Sequence, residues 1–140
     1  LQSGYPRATA IVAQSGSVLL VRERRKTAWS LPGGRLNRDE PVLSAAVREL
    51  WEELGVRTLR AERLGHHDYA ASRAHHLVCL LEIEGEPNVR SSEIEAFHWW
   101  DGIEKIDLFS HVNVIAKRFT GTRSQLGPPA PGPYSREATD

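Results

Sequence analysis

The chain has 140 residues, enough for one compact domain with a real core and too few for two. Its 18 basic and 18 acidic residues cancel, so no overall field steers it toward nucleic acid or an anionic membrane, and charge-based function must come from local clusters. No apolar run approaches the roughly 20 residues of a membrane-spanning helix, the first residues lack the basic-then-apolar layout of a secretory signal, and the single cysteine, Cys79, cannot form an internal disulfide, so the sequence reads as cytoplasmic.

Two apolar runs, Ala8 to Ala13 and Val18 to Val21, flank the turn-prone pair Ser15-Gly16 and predict adjacent antiparallel strands. A basic segment with Arg22, Arg24, Arg25 and Lys26 follows, either a solvated loop or a contact for a phosphate chain. Pro32, Gly33 and Gly34 then interrupt regular structure and force a loop. Pro41 fits the first turn of a helix capped by Asp39 or Glu40, with Leu43, Ala46, Val47, Leu50 and Leu54 as its apolar stripe and Gly55 as its stop. A short strand is predicted within Arg57 to Leu64, and a longer, buried one over HLVCLLEIEG, which holds Cys79. Glu93 to Trp100 reads as a further strand ending in aromatics. Ile106, Leu108, Phe109, Val112, Ile115, Ala116 and Phe119 recur at helical spacing and predict a C-terminal amphipathic helix packed on the sheet. From Gly121 onward four prolines and three glycines leave little for a core. Residues 121–140 therefore read as a flexible tail on a single domain of residues 1–120. The expected class is α/β, a mixed sheet sandwiched between helices in α/β/α layers.

The segment LPGGRLNRDEPVLSAAVRELWEELGV, Leu31 to Val56, crowds Glu49, Glu52 and Glu53 into about one helical turn. Residues three or four apart share a helix face, and each exposed like-charge pair weakens an isolated helix by a few tenths of a kcal/mol. Two readings stand on the residues alone. One is a solvated acidic helix end with Arg48 and Glu52 paired at i,i+4. The other is a divalent-cation site, because magnesium prefers hard oxygen ligands and retains waters that suit a phosphorylated substrate. A loop free of side chains can add a backbone oxygen, such as the Gly33 carbonyl, beside the carboxylates.

Gly34, Glu40, Arg48, Glu49, Leu50, Glu52, Glu53, Gly55 and Val56 match, over 23 residues and with no departure, the signature of the Nudix hydrolases. The WSLPGG entry and the late aromatic-rich strand are also similar to that family. The resemblance implies a Nudix fold and hydrolysis of a nucleoside diphosphate-linked substrate with Mg2+ or Mn2+. It implies that Glu49, Glu52 and Glu53 bind the metal with the Gly33 carbonyl. Arg48 would orient the carboxylates through charge-assisted hydrogen bonds, and Glu40 would steady the junction of loop and helix. Hydrolysis would be direct, without a covalent intermediate, with Glu52 or Glu53 also acting on the proton of the attacking water. Some relatives use a further carboxylate outside the signature. Glu93 is the preferred candidate, ahead of Glu95 and then Glu82 and Glu84, and each also reads as an ordinary solvated glutamate.

Arg22 is similar in placement to a substrate-binding arginine of nucleotide-cleaving relatives, and Trp29 either lines a base pocket or packs the loop. Of Phe97, Trp99 and Trp100, at least one belongs to the core, since strand positions alternate faces. His66-His67 and His75-His76 lack a zinc spacing and, with His98 and His111, read as polar loop or strand-end residues. Tyr69 is a weak, early match to a tyrosine of dinucleoside polyphosphate hydrolases. The favoured reaction converts a nucleoside triphosphate to monophosphate and pyrophosphate, with ADP-ribose or another nucleotide-sugar or dinucleotide as runner-up. A catalytically weak module that binds nucleotide or protein is the alternative of a different class. The partner expected is a small nucleotide, with neither membrane nor nucleic acid indicated by the charge. A homodimer remains open, with no interface stripe to define it.

Overall fold

The computed structural model describes residues 4–68 and 73–126, from residue 120 by backbone alone. Strand β1 (Tyr5–Ile11) is followed by β2 (Ala13–Gln14), β3 (Ser17–Glu23), β4 (Gly33–Arg35), helix α1 (Val42–Leu54), β5 (Arg57–Asp68), β6 (Ala74–Glu84), β7 (Ile94–Trp100) and α2 (Ser110–Leu126). Ser15 and Gly16 both take positive φ, 51° and 82°, which a two-residue hairpin turn requires, and they join β2 to β3 with Ala13 opposite Val18. β1 does not share that hairpin. It pairs antiparallel with β4 and parallel with β6 in a four-stranded sheet of order β4-β1-β6-β5, while β2, β3 and β7 form a separate antiparallel sheet. The apolar run expected to be one strand through Ala13 therefore divides at Val12. There the chain changes sheets, and the Val12 carbonyl accepts the Leu19 N–H at 2.9 Å.

Strand alternation divides the apolar side chains between two cores. β3 sends Leu19 and Val21 toward Ala45, Ala46, Leu50 and Leu54 of α1, and Leu20 toward Val112, Ile115, Ala116 and Phe119 of α2. β6 divides likewise, with Cys79 and Leu81 on the α1 side and Val78 and Leu80 on the α2 side. The sheets thus lie between two helices, the α/β/α layering expected from the sequence. Leu50 is fully buried, and truncating it to alanine would cost about 2–5 kcal/mol. Trp100 packs on the α2 side and Trp99 and Phe97 on the other, so the aromatic strand supplies both cores.

Some boundaries differ from the sequence reading. Pro41 is itself the N-cap of α1, with no side-chain cap from Asp39 or Glu40, while Gly55 closes the helix in the left-handed region at φ 66° with its N–H on the Trp51 carbonyl. β5 continues to Asp68, paired with β6 along its length across two register shifts. Ile106 and Leu108 do pack into the α2-side core, but from an extended segment, and α2 starts only at Ser110. Its backbone runs past Gly121 to Leu126; residues 127–140, like Tyr69, lie outside the described part. Among the described residues, no helix is long and apolar enough to cross a membrane.

Candidate active site

The last turns of α1 carry the signature carboxylates. Helical spacing turns Glu49 and Glu53 inward to half-buried positions, whereas the Glu52 side chain stays 54% exposed. Arg48 organises them. Its Nε and Nη2 donate to Glu40 Oε2 and Oε1 at 2.8 and 3.0 Å, and its Nη1 donates to Glu49 Oε2 at 3.0 Å and Glu52 Oε1 at 3.1 Å. Glu40 also accepts the Asn37 backbone N–H at 2.9 Å, so it ties the loop to the helix. The hydrogen bonds from Arg48 hold the Glu40 carboxyl below the usual range, and Arg48 itself is raised still further by that partner.

β4 explains the glycines. Gly33 takes φ 146°, and a Cβ there would strike the Ala8 carbonyl of β1; a Cβ on Gly34 would strike the Glu49 carboxylate. The strand therefore fits between β1 and the helix carboxylates only without side chains. The Gly33 backbone favours the ionised form of Glu53 slightly, but Glu53 Oε1 is buried with no hydrogen-bond partner. Burial, and next the charge of Glu49, push the Glu53 carboxyl up to about 8. Burial raises Glu49 as well, with Arg48 opposing.

Among the described residues no three histidine, cysteine or carboxylate side chains converge closely enough to enclose an ion as they stand. Arg48 accounts for this: it draws Glu49 and Glu52 to itself and away from Glu53.

The NUDIX domain family matches residues 4–119. This chain belongs to the Nudix family. It is 33% identical over 108 residues to a MutT-like protein of Streptomyces ambofaciens, covering 77% of this chain and 70% of the relative. It is 32% identical over 96 residues to the phosphatase NudJ of Escherichia coli K12, covering 64% of this chain and 63% of NudJ, thus less than two thirds of that protein. The crystal structure of a MutT NUDIX hydrolase from Burkholderia pseudomallei superposes with a TM-score of 0.70 at 28% identity, over 84% of this chain and 98% of that one. Membership sets the chain among hydrolases of nucleotide-derived substrates.

Beyond the Nudix signature, the structure brings some expected residues together and leaves others apart. Arg22 lies with its guanidinium 5.5 Å from the Trp29 ring centroid, and its Nη1 donates to the Lys26 carbonyl at 3.2 Å. Trp29 is half-buried, pinned by backbone bonds to Asp107 and Phe109 and tilted against His98. Glu93 is exposed just before β7, and among the described residues no hydrogen bond or ion pair joins its carboxylate to α1; its carbonyl accepts the Arg24 N–H. The outlying carboxylate whose charge acts on Glu53 is Glu23, at the end of β3, masked in the sequence by the basic run that follows it.

Sequence reasoning also passes over Arg7. This β1 residue is partly buried, and the charges of Glu53, Glu23 and Glu49 all act on it. Nor is His76 a strand-end polar residue: it is 2% exposed, bonded to Thr9 and stacked on His111. The alternation of AHHLVCLL, which puts His76 on one face with Val78 and Leu80, is the signal that finds it.

Proposed function

We propose that this Nudix chain hydrolyses a nucleoside diphosphate-linked substrate, in the first instance a nucleoside triphosphate to monophosphate and pyrophosphate, with Mg2+ or Mn2+. The supporting observation is Glu53 Oε1, a buried carboxylate oxygen without a partner in a cluster whose charges oppose one another. Hard carboxylate oxygens crowded against like charge are the donor set that such a cation takes, and its binding displaces the proton that burial favours on Glu53. Glu49, Glu52, Glu53 and the Gly33 carbonyl would hold it. When bound, it neutralises phosphate oxygens and makes a bound water more acidic.

The remaining work falls to the chain itself. Glu40 fixes Arg48, and Arg48 orients Glu49 Oε2 and Glu52 Oε1. Glu52 or Glu53, on the last turn of α1, receives the proton of the water as it attacks. The water oxygen bonds to phosphorus, the anhydride P–O bond breaks, and the departing phosphate takes its electron pair. Arg22, next to Trp29, is assigned to the polyphosphate chain, and Trp29 to the substrate's ring. The auxiliary carboxylate is assigned to the pair Glu23 and Glu93, which the β3–β7 pairing of Glu23 with Ile94 sets at one end of the sheet.

The test is a substrate panel with product identification: ordinary and oxidised nucleoside triphosphates, ADP-ribose, dinucleoside polyphosphates and capped RNA. One class should turn over in Mg2+, and Glu52→Gln and Glu53→Gln should each lose at least 100-fold in kcat while still binding. Turnover undiminished in both variants, or in chelator, would end this reading. Tight nucleotide binding with no product from any class would favour a recognition module.

A further inference from the structure

Arg7 is a partly buried cation, and among the described residues it makes no ion pair. Its Nη1 donates to Thr9 Oγ1 at 2.9 Å and its Nη2 to the Leu31 carbonyl at 3.0 Å, both neutral acceptors. Burial pulls its pKa below the usual arginine value, yet a guanidinium stays charged. Two of its five N–H groups are used and three remain. Glu53, Glu23 and Glu49 act on it through their field, but none pairs with it, so its free N–H groups stay open to an anionic acceptor. Arg7 is tied to the Leu31 carbonyl at the entry to the glycine loop, and the field of Glu53 reaches it, so it borders the proposed active site.

Its register partner on β6 is His76, which is 2% exposed. His76 Nδ1 lies 2.7 Å from Thr9 Oγ1. Thr9 is fully buried and its other side-chain partner, Arg7, can only donate, so the hydroxyl hydrogen takes Nδ1 as its acceptor, and the ring proton is assigned to Nε2. His76 Nε2 is thus a buried donor, and it has no partner. Burial, then the charge of Arg7, hold its pKa at about 4, so the ring is neutral at neutral pH. His111 of α2 stacks on it with centroids 4.3 Å apart and fixes the ring plane.

Arg7 and His76 therefore present donors from adjacent strands on one face of the sheet. A nucleobase edge mixes donors with acceptors; a phosphate offers acceptors and negative charge alone. We propose that Arg7 and His76 form an oxyanion subsite for the substrate phosphate across the scissile anhydride from the one attacked. Thr9 and His111 are positioning residues for it. The inference rests on the hydrolytic reading above and adds to it the residues that hold the departing phosphate.

The probe is inorganic pyrophosphate in chelator, with inorganic phosphate as the weaker comparison, read by the histidine ring 15N signals. Pyrophosphate should shift the His76 and His111 signals saturably. Arg7→Gln should weaken that binding at least tenfold, and Arg7→Lys, which keeps the charge and guards against a folding failure, should weaken it less. On whichever panel substrate turns over, Arg7→Lys should raise KM more than it lowers kcat. Unchanged ring signals at saturating pyrophosphate, or equal binding by Arg7→Gln, overturn the subsite. Glu52-dependent hydrolysis with KM untouched in Arg7→Lys overturns it while the hydrolytic reading stands. Pyrophosphate shifts lost in Arg7→Gln, in a protein that hydrolyses nothing, support the subsite and sink the hydrolytic reading instead.

Discussion

Arg48 grips Glu40 through two roughly parallel bonds, Nε to Oε2 at 2.8 Å and Nη2 to Oε1 at 3.0 Å, eight residues apart in the chain. Both side chains are mostly shielded, so this is a stronger contact than a solvated ion pair. It also leaves only Nη1 to serve Glu49 and Glu52. Glu40→Gln removes the charge and one acceptor oxygen. We expect a stability loss of about 1–3 kcal/mol by urea titration. A fall in kcat of roughly tenfold should accompany it as Arg48 swings toward Glu49 and Glu52, on the scale of a misplaced catalytic group. An unchanged kcat alongside the stability loss would reduce Glu40 to a structural tie.

Gly34→Ala separates site geometry from folding. Gly34, unlike Gly33, does not hold a positive φ, so alanine meets no backbone strain there. Its methyl group would instead fall on the Glu49 carboxylate. The outcome expected is a kcat lower by about 10- to 100-fold with little change in Tm, since an ångström of displacement in a catalytic group is enough for that. Gly33→Ala, which meets the Ala8 carbonyl at a φ only glycine tolerates, should fail mainly in stability. If both variants unfold alike, the Glu49 contact is not what Gly34 protects.

Cys79 offers a further check on the layering. It is wholly buried between β6 and the α1-side core, and burial pushes its thiol up to about 12. A neutral, enclosed thiol reacts only when the strand opens. An aromatic disulfide reagent at pH 8 should therefore modify native protein at least about 100-fold more slowly than denatured protein. Rapid native modification would mean that β6 is not the central strand described.

How much of this was legible in the chain depends on what kind of signal each feature leaves. The Leu43 to Leu54 stripe and Gly55 specify α1 because both act within a few turns of one helix. The Glu49–Glu52–Glu53 face follows from the same local geometry. The division of the strands into two sheets does not, since apolar run length says nothing about which strand is the neighbour, and the change of sheet rests on one residue, Val12. Ile106 and Leu108 mimic helical spacing while serving the core from an extended segment, because their partner is Trp29, far off in sequence. Arg7 is opaque for the same reason. Nothing around it in YPRATA marks it, and its meaning comes only from the strand pairing that sets it beside His76 and behind the glycine loop.

The stacked histidines make stability depend on pH in a direction that can be worked out. Free histidine titrates near 6.5, whereas burial, followed by their neighbours' charges, lowers His76 to about 4 and His111 to about 3. Between those values and 6.5 the unfolded chain binds protons that the folded chain refuses, so stability rises with pH in this window and is lost as pH falls below 6.5. Glu53 acts oppositely: raised from 4.5 to about 8, it binds a proton in the folded state first, and its contribution declines as pH rises through that interval. The two effects overlap, so the informative quantity is the difference between wild type and a variant that keeps Glu53. His111→Phe retains a ring to stack on His76 but cannot titrate. Urea titrations from pH 7 to pH 5 in chelator should show the variant losing about 1–2 kcal/mol less than wild type across that span, since a full proton is worth about 1.4 kcal/mol per pH unit. Parallel losses would mean that His111 charges freely in the folded protein, and the packing of α2 over His76 would have to be looser than the 4.3 Å stack requires.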